Sequence, residues 1–135
     1  MEKSIQRGRR VELSELQVAI SKSWGRDTSN DWKGWSQSSP SYGQCAVTSL
    51  VVQDYLGGRL IRVDVLKGGS VTGSHYYNEL PNGRIVDFTI GQFGKDVSFG
   101  APAERTREYV LSNTSTSIRY KLLSENVKMW LGDYC

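Results

Sequence analysis

Apolar residues along this chain recur with two different periods, and the switches between them mark out its elements. Leu13, Leu16 and Ile20 stand three and four residues apart with Ser14 and Glu15 among the polar positions between them. That is the spacing of one helix face, and it predicts a helix over 12–22. Residues 23–43 have no clean period: Trp24, Trp32, Trp35 and Tyr42 are scattered through Ser, Asn, Asp, Gly and Gln, with Pro40 near the end. This stretch reads as irregular and anchored by indole rings. Val47, Leu50, Val51 and Tyr55 form the stripe of a second helix over 45–56, closed by Gly57-Gly58 because glycine takes the left-handed conformation that ends helices. Strand alternation follows, with Leu60, Arg62, Asp64 and Leu66 interleaving with Ile61, Val63 and Val65 until Gly68-Gly69. Residues 74–80 and 84–89 read as a hairpin around Pro81-Asn82-Gly83, and glycine-rich 90–103 as loop. From Glu104 the pattern is helical to about Leu111. Caps among Asn113 to Thr116 then start a longer helix that ends near Leu131, before Gly132. Antiparallel strands joined by tight turns, with helices to pack on them, predict an α+β fold rather than a doubly wound one.

Composition narrows the class. At 135 residues the chain fits a single domain, 1–135, and 38% hydrophobic residues argue against disorder. Much of the +3 net charge sits in Lys3, Arg7, Arg9 and Arg10, so residues 1–11 are expected to be a flexible, solvated terminus. No RNA-binding or helix-turn-helix signature follows, and no nucleic-acid partner is expected. The first twenty residues lack the apolar core of a signal peptide, and no apolar run approaches the ~20 residues of a membrane helix. Cys45 and Cys135 do not make a disulfide scaffold, so the expectation is a cytoplasmic protein with reduced thiols and no membrane contact. His75 is the only histidine and there is no Cys-x-x-Cys pair, so neither a metal centre nor a cofactor is expected. Any Cys–His or Ser–His chemistry must pass through His75. Glycine-rich 67–73 lacks the Gly-Lys-Thr/Ser ending of a phosphate loop. Asp54 and Asp64 are expected on solvated faces, and Arg105, Arg107 and Glu108 in surface ion pairs.

The candidate chemistry starts at Cys45, which opens the second helix in Gly43-Gln44-Cys45-Ala46-Val47-Thr48. Helix N-termini carry unpaired N–H groups and partial positive charge, which favour a thiolate and can hold an oxyanion. Gly43 would let a substrate backbone come close. Cys45 reads equally well as a small buried hydrophobe. His75 lies on the first hairpin strand, and Asp87 lies on its partner, where an Asp among apolar residues calls for a partner of its own. The turn decides whether they meet. Pro81-Asn82-Gly83 suits a three-residue loop with a left-handed glycine. Leu80 then opposes Arg84, Tyr77 opposes Asp87 and His75 opposes Thr89. His75 and Asp87 become diagonal neighbours on one face, roughly 7–8 Å apart along the ladder and within side-chain reach. A two-residue Asn82-Gly83 turn would send them to opposite faces.

A Cys that opens a helix, then a His and an Asp on later strands, resembles the chain order of papain-like and transglutaminase-like thiol enzymes. Gly43-Gln44-Cys45-Ala46-Val47-Thr48, Gln53-Asp54-Tyr55-Leu56-Gly57-Gly58, Ser74-His75-Tyr76-Tyr77-Asn78 and Arg105-Thr106-Arg107-Glu108 resemble the bacterial YunG-like family over about residues 24–128. The resemblance implies a papain-like cysteine-enzyme fold, an antiparallel sheet packed with a Cys-bearing helix and C-terminal helices. Departures are visible: Ala46 and Val47 replace the bulky aromatic that many such enzymes place after the nucleophile. Gln37 and Gln44 stand upstream of Cys45 without matching the spacing of a papain-like oxyanion glutamine. The expected function is thiol-dependent acyl transfer on an amide or ester substrate, proteins and peptides included. Cys45 would be the nucleophile, His75 the base and Asp87 the residue orienting the imidazole, with Ala46, Gln44 and Gln37 as candidate oxyanion donors. The alternative is an inactive binding module on the same scaffold.

Overall fold

The computed structural model describes residues 11–132. The elements run α1 (Leu13–Ser23), α2 (Cys45–Leu56), β1 (Arg59–Lys67), β2 (Ser70–Glu79), β3 (Ile85–Val86), β4 (Val97–Phe99), β5 (Ala103–Arg105), α3 (Arg107–Leu111) and α4 (Thr114–Leu131). Single 3₁₀ turns at Arg26–Thr28 and Ile90–Gln92 interrupt the loops. The sheet is antiparallel, in the order β3-β2-β1-β4, and β5 pairs with the other end of the same β1 edge. This is a mixed α+β arrangement with helices packed on an antiparallel sheet.

The stripe expected of the second helix is the centre of the core. Val47, Leu50, Val51 and Val52 are wholly enclosed and Tyr55 nearly so. Each such aliphatic side chain contributes roughly 1.5–3 kcal/mol through burial. α2 packs against β2 and α4, and α1 packs against α4. Leu16 and Ile20 of α1 meet Leu123, Val127 and Leu131 of α4 in one cluster with the α2 valines. Leu50, Leu60 and Val110 form a second cluster toward β1 and α3. Gly57 closes α2 at φ 73°, and its N–H donates to the Gln53 carbonyl.

Local signals held best where a cap or turn has its own chemistry. The Asn113 side chain accepts from the Thr116 N–H to start α4, and Gly132 ends it in the left-handed region. At the hairpin, Leu80 N–H donates to the Arg84 carbonyl, and Gly83 N–H to the Leu80 carbonyl, both at 2.8 Å. Gly83 has φ 87°. The loop is therefore the three-residue one, and Asn78 pairs with Val86.

Elsewhere the sheet redraws the boundaries. β2 begins at Ser70 rather than at 74, because Gly68 and Gly69 (φ 58° and 81°) turn the chain straight back onto β1. β3 stops at Val86, so the ladder does not extend to Thr89 as expected. Within the expected loop 90–103, Val97–Phe99 pairs with Val65–Lys67. Ala103–Arg105, expected in a helix that starts at Glu104, is a strand on Leu60–Arg62. The free edge of β1 supplies unpaired N–H and C=O groups, and pairing there overrides helix propensity. The helix starts later, at Arg107, where the Thr106 side chain accepts from Tyr109 N–H. Val11 is buried in the core and departs from the expected flexible terminus; the basic residues Lys3 to Arg10 and Cys135 lie outside the described residues. Of the four tryptophans, Trp24 and Trp35 anchor the irregular segment through Thr48 Oγ1 and the Pro40 carbonyl, while Trp32 and Trp130 are exposed. No helix among the described residues is long and apolar enough to cross a membrane.

Asp54 is not solvated. Its side chain is 15% exposed and ion-paired to Arg107 Nη2 at 2.6 Å, and its other oxygen accepts from Tyr120 OH at 2.6 Å. Arg107 also donates to Tyr120 OH and to Gln53 Oε1. Burial raises the Asp54 pKa against the pull of Tyr120 and Arg107. Burial and the bond to Asp54 push Tyr120 up to about 12. The cluster ties α2, α3 and α4 together, and its carboxylate depends on the guanidinium. Arg107→Ala is expected to cost about 3 kcal/mol in urea unfolding, because it strands a largely buried charge. Glu108→Ala, on the exposed side of the same helix, should stay within about 0.5 kcal/mol.

Candidate functional site

The register set by the Pro81-Asn82-Gly83 loop puts His75 and Asp87 on one face, and their side chains meet. His75 Nε2 and Asp87 Oδ2 are 2.7 Å apart. Asp87 is the first residue past β3, where the chain leaves the ladder and turns toward the Ile90–Gln92 3₁₀ turn. His75 pairs with Val63 of β1 and is 1% exposed. Phe93 meets the ring edge-on at 4.9 Å between centroids, and Phe99 lies at 5.7 Å. These rings hold the imidazole in one orientation and keep water from the Asp87 bond.

Cys45 is the first residue of α2, as its sequence context predicts. Thr48 N–H makes the first helical bond, to the Gln44 carbonyl at 3.0 Å, so the amides of Cys45 and Ala46 lie ahead of the hydrogen-bonded turns. The thiol is free, half-buried and on the wall of a cleft of about 680 Å³. Burial lowers the His75 pKa, but the Asp87 hydrogen bond and the neighbouring Cys45 sulfur outweigh it and raise it to about 9. The second ring nitrogen, Nδ1, is enclosed and has no hydrogen-bond partner. With Nε2 held by Asp87, Nδ1 is the position left for exchange with sulfur.

The turn ahead of Cys45 is fixed by contacts no spacing reveals. Gly43 has φ 73°, and a Cβ there would collide with Ser29 Oγ and crowd the Asn30 amide. The neighbour that comes close to Gly43 is this chain's own 29–31 segment, where a substrate backbone was expected. Asn30 N–H donates to the Gly43 carbonyl at 2.8 Å, and Ser29 Oγ donates to the Tyr42 carbonyl at 2.9 Å. From the other side Gly43 N–H donates to Gln92 Oε1 at 3.1 Å. Gln92 was not legible in advance, since the loop around it has no period. Gln44 is wholly buried, and its amide nitrogen donates to the Gly25 carbonyl at 3.0 Å. Gln37 is exposed and does not reach the cleft wall. Of the three candidate oxyanion donors, only Ala46 lines the cleft.

Arg119 of α4 also lines the cleft and was not singled out. A signal was present: Leu123, Val127 and Leu131 form the buried stripe of α4, and one turn earlier that stripe reaches Arg119. Among the described residues no group of three or more His, Cys, Asp or Glu could hold a metal ion.

Fold and site together describe an α+β protein with a His75–Asp87 pair on its antiparallel sheet and a cysteine opening the central helix. The family model described as YunG protein matches residues 12–132, and the chain belongs to this family. A relative from Bacillus subtilis (strain 168), described as "Uncharacterized protein YunG", is 31% identical over 102 residues, covering 75% of this chain and 81% of the relative. No solved structure matches.

A titration of the single imidazole, followed by NMR, tests the electrostatics. In the wild type the midpoint should lie at about 9, against the ordinary 6.5. In Asp87→Asn it should fall toward the ordinary value or below, because burial then acts with less opposition. The linked stability has a definite sign. The raised His75 pKa contributes stability that is full below 6.5 and lost as pH rises through about 9. Unfolding free energy should therefore decline across that window in the wild type and be flatter in Asp87→Asn. An unchanged midpoint would remove Asp87 as the group holding the charge.

Proposed function

We propose that the chain is a thiol-dependent acyl-transfer enzyme of papain-like architecture, a single catalytic unit working in the cytoplasm on an amide or ester. The observation that carries this reading is the buried His75, bound to Asp87 through Nε2, with its free nitrogen and its raised pKa beside a thiol at a helix N-terminus. The raised pKa favours an imidazolium at neutral pH, and the helix terminus favours a thiolate. The Cys45 sulfur attacks the substrate carbonyl carbon and forms a C–S bond, and the carbonyl π pair moves to oxygen. The amides of Cys45 and Ala46 are placed to donate to that oxyanion. When the pair returns, the C–N or C–O bond breaks, and the leaving amine or alkoxide takes the proton from His75. Water, or an amine or alcohol acceptor, then attacks the thioester carbon and gives its proton to His75; as the adduct collapses the C–S bond breaks, the acid, amide or ester product leaves, and the thiolate–imidazolium pair is restored. Asp87 orients the ring and stabilises its charged form throughout.

The inactive-module reading has its own support: neither Gln44 nor Gln37 supplies the side-chain oxyanion donor that papain-like enzymes use. Iodoacetamide separates the two. An enzyme should be alkylated at Cys45 near neutral pH faster than at Cys135. Cys45→Ala should abolish any thiol-dependent hydrolysis while changing stability by less than about 1 kcal/mol, since the side chain borders a cleft. Equal labelling of the two thiols would sink the catalytic reading.

A further inference from the structure

Arg119 is 8% exposed, yet it has no carboxylate partner among the described residues. Its Nε donates to Ser115 Oγ at 3.1 Å, one terminal nitrogen to the Thr28 carbonyl at 3.2 Å, and the other to Thr116 Oγ1 at 3.2 Å. All three acceptors are neutral. A guanidinium carries five N–H donors in a planar fork, so one hydrogen on each terminal nitrogen remains. A buried cation without a counter-ion is costly unless something anionic completes it. Burial lowers the Arg119 pKa, and the Cys45 sulfur acts in the other direction. The side chain thus lies within electrostatic range of the sulfur and lines the same cleft.

Of the other charges on that wall, Arg62 is ion-paired and Asp31 is exposed to solvent. Arg62 donates to Asp64 at 3.1 Å. Asp31 accepts from Tyr42 OH at 2.7 Å and from Gly34 N–H at 3.2 Å. Among the described residues, Arg119 is the buried charge lining the cleft that has no counter-ion. We propose that Arg119 receives a carboxylate of the substrate, so that the acyl donor of the Cys45 site carries an acid group near its reactive carbonyl. This rests on the thiol reading above and adds the substrate class. A carboxylate matches the two remaining N–H groups in a parallel, bidentate geometry. A monoanion also suits a wall that carries Asp31 better than a phosphate dianion does.

Two reagents that differ only in charge test this on the full chain. Iodoacetate and iodoacetamide alkylate the same sulfur, but only iodoacetate presents a carboxylate next to the reacting carbon. Rates at Cys45 and Cys135 are read by peptide mass spectrometry, with Cys135 as the internal reference. The iodoacetate-to-iodoacetamide ratio should be higher at Cys45 than at Cys135 by about tenfold or more, the worth of a charged hydrogen bond. Arg119→Gln should bring the ratio down to the Cys135 level, and Arg119→Lys should retain part of it. In the wild type, acetate should protect Cys45 from iodoacetamide better than inorganic phosphate does. A ratio unchanged in Arg119→Gln would overturn the proposal, since His75 alone would then account for the preference. An equal fall of both rates would also overturn it, leaving Arg119 as a positioning residue for the thiolate. Stronger protection by phosphate would overturn the carboxylate assignment. Should Arg119→Gln fail to fold by circular dichroism, acetate protection of the wild type decides alone, and its absence overturns the proposal. Failure of the thiol reading looks different: iodoacetamide itself would then label Cys45 no faster than Cys135.

Discussion

The loop Pro81-Asn82-Gly83 holds the site in register. The side-chain period of a strand is two, so a slip of one residue would send Asp87 to the face opposite His75. The left-handed Gly83, its N–H bond to the Leu80 carbonyl and the bond from Leu80 N–H to the Arg84 carbonyl prevent that slip. Asn82 Oδ1 adds a bond from the Arg84 amide at 2.9 Å. The ladder beyond is only two pairs long, so the turn has little help in fixing the register. Asp87 then sits where the backbone is free to leave the sheet, which lets its carboxylate reach across to the ring.

A second constraint fixes the other half of the site. α2 is buried along most of its length, and its N-terminus is aimed by the clamp on Gly43 from the 29–31 segment and Gln92. The irregular aromatic stretch therefore acts as the support that sets where a helix begins. Asn78 reinforces the same placement, since its side-chain amide donates to the Ser49 carbonyl of α2 at 2.9 Å from the strand that carries His75. The hairpin and the helix are thereby bonded to each other near the site.

Buried charge is handled in two ways in this molecule. The Asp54–Arg107–Tyr120 cluster is complete within the chain: each charged group meets an opposite charge or a strong donor, and the effect is to join three helices. Arg119 on the same α4 helix meets, among the described residues, neutral oxygens and lines a cleft. A satisfied buried pair needs nothing more from outside the chain. A buried cation held by neutral acceptors alone keeps donors free for a ligand in the cleft.

The sequence by itself determined the helices α1, α2 and α4 and the hairpin loop, and through that loop's length the shared face of His75 and Asp87. Each rests on a short-range pattern: a stripe at helical spacing, an Asn cap, a glycine that alone tolerates the left-handed region, a loop length that sets which residues oppose. The family resemblance was legible too, in the motifs around Cys45 and His75. Tertiary structure decided the rest. Strands β4 and β5 exist because β1 has an edge to fill, and no local pattern in 90–106 records that edge. Asp54 looked solvated because its partners lie 53 and 66 positions away. Gln92 reaches Gly43 across 49 positions, and Arg119 reaches the Thr28 carbonyl across 91. Side chains that meet through folding alone leave no spacing in the chain, and that is why the supports of the site became visible only in three dimensions.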